Sequence, residues 1–293
     1  MSTRRLRHLL LISAAILVLN QSHSGMANKA PASLQNEHPW VTFVPEGEEF
    51  TVTIPAWPTV RIYPVSSEHH PNHEPVLVHT EYGGYGNGVV FIIESYKAQR
   101  PQRLWKDLGA DASGTFEREI LFDGITTTLY RSVQSSRYAT YTRHIMHFTT
   151  KEHIYFVTLV TLEDTNPFVD RLLSSLRLRQ ADDRITTDKQ SDEYIPGDTF
   201  LHTEVTRRAI IVSKTEPFYT PQARANQIVG TVTLEAILAE DGYIANITVT
   251  KELKDGLTES AIQAARSIRF FPAEKDGKPV SQRMKLEYNF NLY

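Results

Sequence analysis

The chain of 293 residues contains no cysteine. This absence excludes a disulfide scaffold, a thiolate metal site and a cysteine nucleophile. An excess of charge of one sign is also missing, because 31 basic and 34 acidic residues leave a formal net charge of -3. A chain without a basic excess lacks the electrostatic attraction on which nucleic-acid binding depends. We therefore expect no nucleic-acid partner.

Familiar catalytic patterns are absent as well. The sequence holds no G-x-S-x-G nucleophile elbow, no H-E-x-x-H zinc motif and no phosphate-binding P-loop. The glycines between Glu81 and Gly88 precede no helical pattern, so we interpret them as a turn. We expect no enzymatic activity, no catalytic residue and no cofactor.

The first residues have the pattern of a secretory signal. Arginines precede an apolar run over residues 9–19, which as a helix would rise about 16 Å against roughly 30 Å of bilayer hydrocarbon. Small residues offer two cleavage sites, at Ser22 and Ser24 or at Gly25 and Ala27. The second is favoured and predicts a signal peptide over residues 1–27. The alternative is an uncleaved inner-membrane anchor, and both place the protein in the periplasm or cell envelope.

Strand patterns dominate the next part of the chain. Residues 50–54 alternate between apolar and polar, and compact apolar runs cover 88–94 and 154–162. Asn166 can cap a helix that has Pro167 in its first turn and apolar residues on one face. These elements predict an α+β domain.

The end of the chain predicts a β-β-α-β order. Residues 232–238 alternate, 240–242 form a turn, and 243–250 return as a second strand. Thr258 can cap a helix with an apolar stripe, and alternation then continues from Met284 to the carboxyl terminus.

Short motifs along residues 217–293 carry a family resemblance. They include Pro217, Tyr219, Arg224, Gly230, Gly242, Arg269, Phe270 and Pro272. With these residues in order, the tail resembles the carboxy-terminal domain of the TonB family, whose members are envelope proteins that contact outer-membrane transporters. The resemblance implies an envelope protein as partner, namely an outer-membrane TonB-dependent transporter. It also connects the protein with transmembrane transport.

A domain of this family is expected to work through the edge of its sheet. An extended segment of the partner adds as a further strand, and side chains select that partner. The candidate edge is the last strand, with Gln282, Lys285, Glu287 and Asn289 as its selecting residues. The alternatives are that this strand completes the domain core or mediates a homodimer. Tyr219 and Arg224 could equally be structural.

Three departures from a full TonB energy transducer leave energy transduction open. The apolar run 9–19 contains no histidine of the kind that the family uses for coupling. The long proline-rich spacer of the family is replaced by a globular region and a short acidic linker. The leader also has the pattern of a cleavable signal, which would release the protein from an inner-membrane motor.

The amino-terminal region resembles the PsbP-like group of α/β/α sandwich domains. The likeness rests on the opening pattern Phe43-x-Pro45-Glu46-Gly47 and on the closing helix with Phe168. The full organisation that we predict is a signal peptide (1–27), a disordered segment (28–39), an α+β domain of this kind (40–180), an acidic linker (181–199) and a TonB C-terminal-like domain (200–293).

Histidines suggest a second function. The segment 68–74 places three imidazoles and two carboxylates together, a composition that can bind Zn²⁺ or Cu²⁺. Its prolines favour an irregular solvated loop, so we predict no metal site. His144 and His147 would point to opposite faces of a strand and could not chelate together. The alternative function is a periplasmic small-molecule or metal-binding protein that uses the TonB-like module for docking.

Overall fold

The computed structural model describes residues 39–56, 58–63, 76–107, 114–135, 139–179 and 197–292. The chain divides into two compact units, Met1–Pro31 and Ala32–Tyr293, and every described residue belongs to the second. Several predicted features lie outside the described residues: the signal peptide, nearly all of segment 28–39, the histidine-rich segment 68–74, and most of the linker 181–199. None of the described helices is long and apolar enough to cross a membrane.

The amino-terminal region is built mainly of strands. Its elements in chain order are β1 (Val41–Phe43), β2 (Phe50–Ile54), β3 (Thr59–Tyr63), β4 (Val78–Gly86), β5 (Val89–Lys97), α1 (Pro101–Asp107), β6 (Thr115–Phe122), β7 (Ile125–Ser135), β8 (Thr140–Thr149), β9 (His153–Thr161), α2 (Pro167–Ser175) and β10 (Arg177–Leu178). Seven of the strands form one sheet in the order β3-β4-β5-β9-β8-β7-β6, and β1-β2-β10 form a small second sheet. All pairs in the large sheet are antiparallel.

One face of the large sheet is covered by the region's own elements. Phe91, Met146 and Leu159 are fully buried on this face, because side chains of a strand alternate between its two faces. They share a core cluster with Phe50 of β2 and Leu172 of α2. The small sheet and α2 therefore cover this face together.

Helix α2 confirms the predicted cap. The Asn166 side chain accepts a hydrogen bond from the backbone N–H of Phe168 at 2.9 Å, and Pro167 opens the first turn. Val169 and Leu172 are buried on its inner face. The spacing of apolar residues in the sequence thus located this helix and its orientation.

The fold class is only partly as predicted. Strands predominate over helices in the described residues, so the α+β class and the PsbP-like α/β/α sandwich are not confirmed. Helix α1 is short, and α2 shares its face of the sheet with three further strands. The long strands β7 and β8 pair with one another rather than alternating with helices.

The carboxy-terminal region has the predicted β-β-α-β order with short strands added. Its elements are β11 (Thr199–Phe200), β12 (Ile210–Ser213), α3 (Pro221–Ala225), β13 (Gly230–Leu238), β14 (Ile244–Lys251), α4 (Leu257–Arg266), β15 (Arg269–Phe271), β16 (Ala273–Lys275) and β17 (Lys278–Phe290). Its sheet has the order β11-β17-β13-β14, β16 also pairs with β17, and β12 pairs with β15. Helix α4 packs its alanines against Leu234 and Leu286 of this sheet.

The cap predicted for α4 is wrong. The helix begins at Leu257 after Gly256, which has a φ of 81° and supplies no side-chain cap. Thr258 lies one residue inside the helix, where its hydroxyl donates to the carbonyl of Leu253 at 2.8 Å and accepts from the N–H of Leu253 at 2.9 Å. Glycine adopts a left-handed conformation without steric cost, so it turns the chain into the helix earlier than a threonine cap would.

The second face of the large sheet packs against the carboxy-terminal region. Tyr85, Val90 and Val160 of the sheet form one buried cluster with Ile210 of β12 and Phe271 of β15. The Tyr85 and Phe271 rings meet edge to face, with centroids 6.0 Å apart. The two regions therefore share a core within one compact unit.

Candidate partner-binding edge

Among the described residues, strand β17 pairs with a long strand on one side only. On that side β13 pairs Gly230–Leu238 with residues 282–290 without a shift in register. Residues 278–280 pair with β16, and on the side opposite β13 the strand β11 pairs with Ser281 and Gln282. Beyond Gln282, no strand of the described chain pairs with this second side. The open stretch, residues 283–290, is about 26 Å long at the usual rise of an extended chain.

Side chains of the open stretch alternate as predicted. Leu286, Tyr288 and Phe290 are buried under the sheet, whereas Lys285, Glu287 and Asn289 are exposed. The Lys285 ammonium and the Glu287 carboxylate lie 2.7 Å apart, and this contact lowers the pKa of Glu287. Three of the four predicted partner-binding residues thus reach solvent beside the open edge.

The pairing with β13 determines the direction in which the peptide groups of β17 point. Thr233 lies opposite Glu287, and its carbonyl accepts a hydrogen bond from the side chain of Thr250 in β14, on the far side from β17. Residues of an antiparallel pair alternate between bonded and non-bonded positions. The peptide groups of Glu287 therefore point outward, and those of Lys285 and Asn289 point the same way.

Gln282 differs from the other three predicted residues. It is 1% exposed, and its side-chain oxygen accepts a hydrogen bond from the backbone N–H of Ala209 at 2.9 Å. Its backbone position is flanked by β11 and β13. Gln282 therefore lies before the open stretch and anchors the segment that leads into β12.

Lys214 is a residue of the edge that the sequence did not indicate. Its ammonium donates to the carbonyl of Glu287 at 2.8 Å and lies 4.4 Å from the centroid of the Tyr288 ring. A single lysine ahead of Pro217 carries no pattern that could have marked it. The structure brings its ammonium to the edge because the residue after β12 lies within a side chain's reach of β17.

Tyr219 and Arg224 hold the end of β17 in place. The Tyr219 ring packs edge to face on Phe290 with centroids 5.8 Å apart, and its hydroxyl donates to the carbonyl of Ile228. The Arg224 guanidinium lies 5.1 Å from the centroid of the Tyr219 ring. Pro217 lies in the connection just before these contacts.

The motif glycines and Pro272 lie at connections. Gly230 opens β13, and Gly242 lies in the turn between β13 and β14, in contact with Tyr85 of the large sheet. Pro272 is buried between β15 and β16. Gly242 and Pro272 lie apart from the open stretch of β17, whereas Gly230 pairs with Phe290 at its end.

Arg269 joins the carboxy-terminal region to the large sheet. Its guanidinium donates to a carboxylate oxygen of Glu81 at 2.7 Å, and the two side chains are 3% and 7% exposed. Burial lowers the pKa of Arg269, and the negative charge of Glu81 opposes that shift. The other Glu81 oxygen accepts from the hydroxyl of Tyr63 at 2.8 Å. A β-carbon on Gly83 would lie 2.1 Å from the Arg269 Nε atom, so only glycine leaves room for this side chain.

Phe270 and Phe271 are neighbours in β15, and their side chains pack in two different cores. Phe270 packs in the core under the carboxy-terminal sheet, and Phe271 packs against the large sheet. Strand alternation explains this division, since neighbouring side chains point to opposite faces. Strand β15 therefore contributes both to the carboxy-terminal core and to the contact between the regions.

Other chemical groups of the described chain are engaged in the fold. His144 is buried and contacts Glu117 at 2.7 Å, whereas His147 is half-buried on the opposite face of β8, as predicted. The described residues contain no group of three or more side chains able to hold a metal ion. A groove between β6 and α2 has Arg118 and Asp170 in its wall, and these two charges pair with each other.

An open, regular strand edge on a helix-backed sheet defines a module that can bind an extended polypeptide through main-chain pairing. Residues 215–292 match the family described as Gram-negative bacterial TonB protein C-terminal, which confirms the resemblance of this part of the chain to that domain.

Two solved structures are similar to parts of the chain. The solution NMR structure of the Pseudomonas aeruginosa TonB C-terminal domain is 25% identical, with a TM-score of 0.26, and the match covers 29% of this chain and 86% of that one. A crystal structure from Bacteroides thetaiotaomicron VPI-5482 is 10% identical, with a TM-score of 0.31, over 62% of this chain and 55% of that one. No curated protein matches the chain.

Proposed function

We propose that this protein is an exported, non-enzymatic envelope protein whose TonB C-terminal domain binds an extended segment of another envelope protein. The segment adds as a strand beside residues 283–290 of β17. The open side of β17 is the observation that carries this proposal, because its outward peptide groups lack a partner strand in the described chain. Unpaired peptide groups on a regular edge are a template for strand addition.

Affinity and selectivity have separate sources in this arrangement. The outward N–H and C=O groups of Lys285, Glu287 and Asn289 supply main-chain hydrogen bonds that any extended segment can use. Their exposed side chains carry one positive charge, one negative charge and one amide, which select among segments. The partner that fits the family is the amino-terminal segment of an outer-membrane TonB-dependent transporter.

A proline at the edge tests this function. Synthetic peptides that cover the amino-terminal segments of the host's outer-membrane TonB-dependent transporters are titrated against the full chain by fluorescence anisotropy. Glu287→Pro removes an outward N–H while leaving the ladder with β13 unbroken. We expect it to abolish binding, whereas the control Glu287→Ala, which keeps that N–H, should bind within a few-fold of the unmodified chain.

Two outcomes would count against the proposal. No binding by the unmodified chain rejects strand addition by this class of peptide. Equal binding by Glu287→Pro, with circular dichroism showing the fold intact, places the peptide elsewhere on the protein. Sedimentation of the unmodified chain distinguishes a homodimer at the same edge, because a dimer would dissociate when a peptide binds.

Cell fractionation of the native host tests the proposed location. We expect the protein in the soluble periplasmic fraction, since the predicted leader is cleavable. Recovery with the inner membrane would instead favour the uncleaved anchor and a role in energy transduction. Recovery in the cytosol would contradict export.

A further inference from the structure

Lys214 occupies an acceptor that a partner strand needs. Its ammonium donates to the carbonyl of Glu287 at 2.8 Å, and this carbonyl is one of the outward groups in the middle of the open stretch. The ammonium also lies 4.4 Å from the centroid of the Tyr288 ring. A strand that adds beside β17 must therefore displace the Lys214 ammonium from Glu287.

The backbone before Lys214 is tied to the amino-terminal region. Ser213 pairs with Arg269 in the short ladder between β12 and β15. The Arg269 guanidinium is held by Glu81 of β4 at 2.7 Å, with both side chains buried. Lys214 is the next residue after this anchored position. The large sheet therefore fixes the position of the Lys214 backbone, from which its side chain extends to β17.

A second contact holds the residue after Lys214. The Thr215 side chain lowers the pKa of Tyr63 of β3, which places it beside the Tyr63 hydroxyl, and that hydroxyl donates to Glu81 at 2.8 Å. Burial and the Glu81 charge raise the pKa of Tyr63 to about 12, against the opposing effects of Thr215 and Arg61. Lys214 is thus flanked on both sides by residues that contact the amino-terminal region or its anchor.

We propose that Lys214 is a latch on the partner-binding edge, held in place by the amino-terminal region and released when a partner strand adds. This proposal rests on the proposed function. A charged lysine beside an exposed edge is one of the ways in which proteins prevent uncontrolled strand pairing. The latch gives the amino-terminal region a role. By holding Lys214 in place, this region sets the affinity of the β17 edge for a partner without covering that edge itself.

Removing the ammonium tests the latch. The full chain and its Lys214→Met variant are titrated with the same transporter peptides. Methionine keeps the length and apolar contact of the side chain over Tyr288 but cannot donate to Glu287. Because one hydrogen bond no longer has to be broken, we expect binding about threefold to tenfold tighter. Lys278→Met, at the exposed start of the same strand, is the matched control and should leave the affinity unchanged.

The tie to the amino-terminal region has its own variant. Thr215→Val removes the hydroxyl that contacts Tyr63 and keeps the shape of the side chain. We expect a smaller gain in affinity, about twofold to threefold, because Lys214 remains but is held less firmly. An unchanged affinity would reject control by the amino-terminal region through this contact.

The outcomes separate the latch from the function on which it rests. Peptide binding that is equal in the unmodified chain and in Lys214→Met overturns the latch and leaves strand addition in place. Weaker binding by Lys214→Met also overturns it, since Lys214 would then contact the partner. A failure of both proteins to bind any peptide overturns the proposed function and the latch together. Thermal unfolding of each variant verifies that the fold is retained.

Discussion

Two ion pairs of equal length lie in different environments. One lies in the buried contact between the amino-terminal and carboxy-terminal regions, and the other lies at the exposed edge of β17. Arg269 and Glu81 lie 2.7 Å apart with 3% and 7% of their side chains exposed. Lys285 and Glu287 also lie 2.7 Å apart, with 63% and 53% exposed. Water screens the exposed pair, so it contributes little to stability. Losing one partner of the buried pair would leave an uncompensated charge. The comparison teaches that environment, rather than distance, decides which pair holds the regions together.

The free edges of the two sheets differ in a related way. Strand β6 carries Glu117, Arg118 and Glu119 in sequence, has a register shift after Phe116, and pairs Arg118 with Asp170 of α2. Strand β17 keeps a regular register with β13. Charges and bulges make an edge a poor template for another strand. We therefore expect strand addition at β17 and not at β6.

The largest effect is expected from breaking the buried pair. Arg269→Met leaves the Glu81 carboxylate buried without its positive partner, so the free energy of unfolding should fall by about 3–5 kcal/mol. Urea denaturation of the full chain measures the change. Adding Glu81→Gln to Arg269→Met removes the stranded charge and should recover part of the loss. An unchanged denaturation midpoint in Arg269→Met would mean that the pair does not hold the regions together.

A smaller loss of stability is expected from substituting Gly83, the glycine that leaves room for the Arg269 side chain. Gly83→Ala places a β-carbon within 2.1 Å of the Arg269 Nε atom, and overpacking of this kind costs about 1–3 kcal/mol. In the Arg269→Met background the same substitution should cost less, because the more flexible methionine can move aside. Additive losses, measured by urea denaturation, would contradict the contact.

The half-buried His147 in β8 should make the stability of the protein sensitive to acid. Burial lowers its pKa below the ordinary value of 6.5, so in acid the unfolded chain takes up a proton that the folded protein does not. Stability from this residue is therefore complete above the unfolded pKa and declines as the pH falls towards the folded pKa. We expect His147→Gln to lose less thermal stability than the unmodified chain between about pH 7.5 and about pH 5.5. Parallel decreases in Tm would show that His147 does not contribute.

The smallest effect is expected at the exposed pair. Lys285→Met should leave the free energy of unfolding unchanged within measurement error, because both charges are screened by water. The same urea measurement applies. A loss of stability as large as that of Arg269→Met would contradict the difference in stability that we expect between the buried and the exposed ion pair.

Local patterns predicted much of the fold. Asn166 and Pro167 marked the start of α2, since capping and a fixed φ act within a few residues. Alternation in the last strand identified Leu286, Tyr288 and Phe290 as its buried side. The order of motifs identified the resemblance of residues 217–293 to the TonB C-terminal domain. Each of these features depends on neighbours in sequence.

Contacts between distant residues could not be predicted in this way. Arg269 and Glu81 are separated by 188 positions in the sequence, and nothing near either residue indicates the other. Gln282 was predicted to face a partner, but Ala209 and the short strand β11 enclose it. The role of Lys214 likewise depends on where β12 ends relative to β17.

By itself, the sequence determined which side chains of residues 285–290 are buried and which are exposed, because a strand's period of two assigns its residues to faces. Only the tertiary structure decided that residues 283–290 are open at the edge, that Gln282 is enclosed, and that Lys214 reaches Glu287. The physical reason is that faces are set by side chains within the strand, whereas an edge is set by whichever chain lies beside it.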